Sequence, residues 1–500
     1  MTDSQTNAQT NAQNNGLRTV QAIADKLALR HATLDLSYDS LGDAGVVFLA
    51  RHKDLSHVRV LNLAWNDIGD TGIEALADCA SLTNVTHLHL DSNAITDKGA
   101  AALAQSPNLA QLKLLNLTNN RIGDDGALRL IKSKKLPKLE FLELELNRIG
   151  EERLSRFPDG AANPQLRWLN LRKNKINTDT LSDWIQTGVF SPVEVLNLGF
   201  NRIDDAGAKL LAQSPTMARL KKLVIDFNWI HNDGAKALAN SKNLANLQDL
   251  YTHENEFTRE GEETLLDFRI RQLIKTHGGD GTLNLNGQRL GNKGLQAIAR
   301  CPEMATIEHL SLRNNFADHM GLVALCQSEH LKNLKSLNLM DNPIGDKGML
   351  ALAEAPFTGL TALNLEKTNI KVAGVQALGT SRVLTQLEAL NLSHNDISNQ
   401  GGKILAQSPN FAKLKTLKLW NTWMESDGVI ALACSENMAN VTELRLNSNG
   451  IRYSGFKALA ESPRFSSLAT LDLRRNHFCV DSFKLFTESG RFRSLKEFRF

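Results

Sequence analysis

Apolar residues along this chain alternate in short bursts and then regroup with a helical period. Leu61-Asn62-Leu63 puts two leucines on one side of an extended segment and a polar residue on the other. Asn66 follows three residues after the second leucine, then the apolar anchor Ile68, then Gly72 and an Ala/Leu-rich stretch. The same order returns from Leu115, Leu196 and Leu337. Taking L-x-L-x-x-N as a marker gives seventeen units. Their marker positions are Asp39, Asn66, Asn93, Asn120, Asn147, Asn174, Asn201, Asn228, Asn255, Gln288, Asn315, Asn342, Thr368, Asn395, Thr422, Asn449 and Asn476. Fourteen of the sixteen intervals are 27 residues, and the others are 33 and 26, so the period sets the fold.

Each unit predicts one strand, one turn and one helix. The marker amide both donates and accepts, so a stack of asparagines can satisfy turn backbone that a core leaves unpaired. A glycine stands six residues after the marker in fourteen units, from Gly45 to Gly455. Asp43, Asp70, Asp97 and Asp205 precede it by two residues and read as helix N-caps. Ser-Pro pairs at 106–107, 214–215, 408–409 and 462–463 read as helix ends, because proline biases its predecessor out of the helix. One unit cannot bury its apolar face alone, so the units must stack. Helices are wider than the strand spacing of about 4.8 Å. The expected fold is therefore an α/β horseshoe solenoid, with a concave parallel sheet and convex helices.

The pattern resembles the leucine-rich repeat superfamily, and its 27-residue strand–helix unit is similar to the ribonuclease-inhibitor class. The helix motif at Gly234-Ala235-Lys236-Ala237-Leu238-Ala239 resembles the GALA-type repeats of bacterial plant-pathogen effectors. The resemblance covers residues 34–500. It implies a scaffold that binds a protein on its concave face, and it implies little about which one, because such families differ in their exposed residues. The GALA effectors carry an F-box before the repeats, and this chain has no room for one, which weighs against a ubiquitin-ligase adaptor. Residues 1–16, rich in Gln, Asn and Thr, are expected to be a disordered tail, and residues 17–33 a capping helix.

Composition removes several other classes. No apolar run reaches the ~18–20 residues of a membrane span. The N-terminus lacks the basic start and apolar core of an export signal, so the expectation is a cytoplasmic protein or one translocated into a host cell as an effector. Five scattered cysteines without a C-x-x-C pair indicate neither a disulfide framework nor a zinc site. A net charge of +3 over 500 residues gives no global drive toward nucleic acid. The 33-residue interval holds a longer helix and the loop Gly278-Gly279-Asp280-Gly281, which lacks the Lys and Ser/Thr of a phosphate-binding loop. The chain ends at Phe498-Arg499-Phe500, where an eighteenth strand is due. A monomer with that end covered locally is expected, and end-to-end pairing through it is the alternative.

The informative positions are four columns per repeat: before the first leucine, between the leucines, and the two after. Trp65, Phe141, Trp168, Phe200, Phe227, Tyr251 and Trp420 fall in them, and Trp229 and Trp423 lie just beyond. Five of six tryptophans thus sit at or beside this face, as binding anchors do. Asp91, Glu143 and Glu145 form an acidic patch, followed by Arg172. Lys418, Arg445, Arg474 and Arg475 form a basic stripe with Asp472 as the opposing charge. His87, His89 and Asp91 alternate on one strand, but alternate residues lie ~6.6–7 Å apart, awkward for one metal, so a polar binding patch is the better reading.

No nucleophile–base or metal-hydrolase motif is present, and Cys301, Cys326 and Cys434 read as packing or surface positions on the convex side. The expectation is a non-enzymatic scaffold with no catalytic residue, no metal and no cofactor, binding a protein rather than nucleic acid or membrane. The alternative is a regulator of an enzyme, such as an inhibitor or a GTPase activator using Arg172 or Arg313.

Overall fold

The computed structural model describes residues 24–26, 28–51, 55–152, 158–488, 491–492 and 494–500. The expected tail over 1–16 lies outside them, as do 17–23 and 27 of the expected capping helix; residues 24–26 are helical. The chain divides into two compact units, up to Leu265 and from Leu266.

In the first unit nine three-residue strands pair in chain order, all parallel, from β1 (Thr33–Asp35) to β9 (Asp249–Tyr251). Register follows the repeat, with Leu34 opposite Leu61, Leu61 opposite Leu88 and Leu142 opposite Leu169. The second unit holds a ten-stranded sheet from β10 (Gly278–Gly279) to β19 (Glu497–Arg499). Its strands are parallel except β10, which pairs antiparallel with β11 (Thr282–Asn284). The spacing predicts one ladder from 34 to 500. The strands form two sheets instead, and the break falls at the 33-residue interval, where a 19-residue helix, Arg259–His277, replaces the usual short one.

The paired leucines face the helices and are buried, as at Leu61, Leu63, Leu196 and Leu198. Full burial of such a side chain contributes roughly 1.5–3 kcal/mol. Three polar ladders tie each repeat to the next. In the first, Asn201 Nδ2 donates to Leu171 O and Leu198 O at 3.0 Å, and its Oδ1 accepts from Ile176 N. Thr368 and Thr422 stand in two of these places and keep the bond to the carbonyl three residues back.

The second ladder corrects the reading of the aspartates. Asp70 is the first residue of the helix Asp70–Ala77, yet its Oδ1 accepts from Thr96 N and Gly99 N, both at 2.9 Å, at the start of the following helix. Asp43 serves Gly69 N and Gly72 N in the same way, Asp97 serves Gly123 N, and Asp205 serves His231 N and Gly234 N. Each carboxylate caps its neighbour's helix rather than its own, because the adjacent N-terminus offers unpaired N–H groups within reach. The repeat glycine leaves room for it: a Cβ on Gly99 would stand 2.6 Å from Asp70 Oδ1. In the third ladder the serine ending one helix donates to a carbonyl of the helix before, as Ser106 Oγ does to Ala77 O and Ser408 Oγ to Gly379 O.

Repeat five departs from the plan. Among the described residues no helix separates Asp124–Ile131 from Thr178–Gln186. Trp184 fills part of the gap, 2 % exposed, and its Nε1 donates to Asp124 Oδ1 at 2.9 Å. At the end of the second unit, β19 forms the expected eighteenth repeat strand, and Phe478, Phe483 and Phe498 gather around Phe500.

Candidate functional site on the open sheet face

The backbone after each strand presents its side chains in a fixed way. The residue between the leucines turns the chain: Asn62 Oδ1 accepts from Ala64 N, Asn116 Oδ1 from Thr118 N, and Asn170 Oδ1 from Arg172 N. The residue just before each marker then lies in the left-handed region, as at Trp65 (φ +57°), Lys173 (+52°), Phe200 (+54°), Phe227 (+53°) and Arg475 (+56°). That conformation costs a non-glycine residue about 1–2 kcal/mol, and Gly287 is the one glycine in this column. A tryptophan or phenylalanine there serves something other than the turn.

In the first unit the aromatics pair across repeats. Trp65 stacks on Tyr38, which the sequence reading did not single out, with centroids 5.4 Å apart. Phe141 tilts against Trp168 at 6.5 Å, and Phe200 stacks on Phe227 at 3.9 Å. Trp65, Phe141, Phe227 and Tyr251 are exposed, whereas Trp168 and Phe200 are half-buried.

Arg172 and the acidic patch form one network. Arg172 Nη1 reaches Asp226 Oδ2 at 3.1 Å, two repeats along, and its guanidinium lies 4.2 Å over the Phe200 ring. Glu145 lies 3.2 Å from Lys173 Nζ and 3.8 Å from Arg172 Nε. Glu143 accepts from Asn170 Nδ2 at 2.6 Å, and burial pushes its carboxyl pKa up. Asp91 accepts from Asn116 Nδ2 at 3.0 Å. His87 Nδ1 meets Thr86 Oγ1 at 2.9 Å, and burial pushes the pKa of His89 down. Among the described residues no three His, Cys, Asp or Glu side chains converge as a metal shell.

In the second unit the basic stripe is largely neutralised. Lys418 and Arg445 share Glu443, at 3.5 and 2.7 Å, and Arg474 pairs with Asp472 at 2.6 Å. Asp472 is thus joined by a second opposing carboxylate, Glu443, in the column before the first leucine. Arg475 makes no ion pair among the described residues. Trp420 lies against His394, edge to face, at 4.4 Å. Ser336, Ala362, Ala389 and Thr416 open a groove of about 220 Å³ on this sheet, floored by strand leucines and edged by Asn338, Asn364 and Asn391. Lys418 of the basic stripe lies at its edge, and the small residues that open it carry no aromatic or charge of their own.

Arg172, the candidate to project toward a bound phosphate, is held down on Phe200 and Asp226. Arg313 is tied to Asp341 at 3.1 Å. Burial drives the thiols of Cys301 and Cys326 up to about 12, which keeps them protonated and unreactive.

Residues 54–77, 81–104, 111–130, 191–212, 219–239, 330–353, 383–406 and 437–460 match the Leucine Rich repeat family. No curated protein matches the chain. Among solved structures, an internalin from Listeria monocytogenes is 18 % identical, over 92 % of this chain and 94 % of that one, with a TM-score of 0.26. A TDR receptor is also 18 % identical, over 93 % of this chain and 68 % of that one, with a TM-score of 0.29.

Proposed function

Since the chain is a leucine-rich repeat protein, we propose that it is a non-enzymatic scaffold that docks a protein partner on the open face of its first sheet. Such scaffolds are typical of protein–protein interaction. The observation that carries the reading is the column of aromatics held at left-handed turns. Trp65 and Phe227 occupy a conformation that Gly or Asn adopts at less cost, and both remain exposed. Exposed aromatics on a rigid frame are the usual energetic centre of an interface. The ion-paired Arg172 and the buried thiols support a binding role over a chemical one.

The test is affinity capture with wild type and with a Trp65→Ala/Phe141→Ala/Phe227→Ala variant, followed by titration with whatever protein is captured. The expected result is a partner bound by wild type and weakened at least a hundredfold in the variant, with thermal unfolding little changed. A partner bound equally by both proteins would show that this face is not the docking surface.

A further inference from the structure

Two places on the first sheet, five repeats apart, share one plan. Around Phe200 the chain supplies its own cation. Arg172, one repeat earlier, lies 4.2 Å over the ring and pairs with Asp226, one repeat later, at 3.1 Å. Gly199 leaves the path open, for a Cβ there would stand 2.7 Å from Arg172 Nη1. Moving back 135 residues, Trp65 takes the place of Phe200 and Asp91 that of Asp226. Ala64 takes the place of Gly199, and Ser37 that of Arg172. The turn is the same, with φ +57° at Trp65 and +54° at Phe200. The aromatic ring and a carboxylate are kept and the cation is replaced by a serine, while the Ala64 methyl fills the gap that Gly199 leaves open, so a cation seated here must lie farther out from the sheet than Arg172 does.

Among the described residues the outward columns here supply no cation in its place, and Lys26, before the first strand, pairs with Asp39 at 2.7 Å. In the four outward columns between Thr33 and Leu146 there are Asp35, Asp91, Glu143 and Glu145, and no lysine or arginine. The Asp91 carboxylate accepts from Asn116 Nδ2 and makes no ion pair among the described residues. Trp65 is 50 % exposed, and its ring stacks on Tyr38. Elsewhere on the sheet two aromatics carry one of the chain's own cations, Phe200 under Arg172 and Tyr251 under Lys222 at 4.8 Å, while Phe141, Trp168 and Phe227 meet other rings.

We propose that the seat over Trp65 takes the guanidinium of an arginine carried by the protein partner, stacked on the indole and ion-paired with Asp91. This rests on the reading of the sheet face as a docking surface. A planar guanidinium stacks on an indole and engages a carboxylate with two N–H groups at once, which an ammonium cannot do.

The experiment titrates the full chain against a dye-labelled peptide in which arginine alternates with serine, with lysine and citrulline versions alongside, read by anisotropy. The arginine peptide is expected to bind tightest and the citrulline peptide not at all. Asp91→Asn and Trp65→Ala each weaken it about tenfold. Asp91→Glu, which keeps the charge, retains most of the binding. Ser37→Arg/Ala64→Gly, which rebuilds the Arg172 and Gly199 arrangement in place, shuts the peptide out while circular dichroism stays unchanged. Equal binding to wild type, Asp91→Asn and Ser37→Arg/Ala64→Gly overturns the proposal. A captured protein partner lost from the aromatic triple variant but unaffected by these two variants leaves the docking face standing and removes the arginine seat.

Discussion

The marker asparagine is the residue on which most of the turn depends. Asn201 is 6 % exposed and serves three carbonyls and one N–H of its own and the preceding repeat. Leaving those groups buried and unpaired costs about 1–3 kcal/mol each at most. Asn201→Ala is expected to destabilise the first unit by about 2–4 kcal/mol in urea unfolding followed by tryptophan fluorescence. Asn201→Thr should cost clearly less, because Thr368 and Thr422 already fill this place and still reach a carbonyl. The leucines and the marker were legible in the sequence because their partners are copies of themselves one period away. The charge pairs were not. Glu443 stands in the column before the first leucine, itself an outward column, and its neutralising of Lys418 and Arg445 appears only when the side chains are placed. The reach of Arg172 to Asp226 needs Gly199, and a glycine on a strand face gives no sign of what passes over it.

At the scale of the element, each helix depends on the one before it. Asp70→Ala removes the acceptor for Thr96 N and Gly99 N, so the helix that frays should be Asp97–Gln105 and not the aspartate's own. The expected cost is about 1 kcal/mol, and faster amide exchange confined to residues 96–100 is the check. The aspartates looked like ordinary caps because residue type and spacing are the same in both arrangements, and only the next repeat in space tells them apart. Asp124 carries a second consequence. Burial raises its pKa from 3.8 to about 6, so the folded protein holds this proton more tightly than the unfolded chain does. A raised carboxyl contributes its stability at low pH and loses it as pH rises between its ordinary value and about 6. Asp124→Asn should flatten that part of the stability–pH curve, measured as the midpoint of thermal unfolding at a series of pH values.

At the scale of the whole molecule, the period told how the chain is built, and the break in the period told where the ladder stops. The 33-residue interval is where one sheet ends and another begins, and the extra residues lengthen a helix to 19 residues. The columns that face outward were also legible, because the leucines fix which residues point away from the core. Which of those residues are free for a partner was not. Trp168 and Phe200 pack against their neighbours, whereas Tyr38, Trp65, Phe141 and Phe227 stay open. No described helix is long and apolar enough to cross a membrane.

Oxidative side-chain footprinting of the complex with a captured partner reads the docking face most directly. Hydroxyl radicals should modify Trp65, Phe141, Phe227 and Tyr251 in the free protein and spare them in the complex. Met320, Leu350 and Tyr453, exposed on the helices, should be oxidised equally in both. Protection of the three helical residues with the four sheet-face aromatics unchanged would contradict the account.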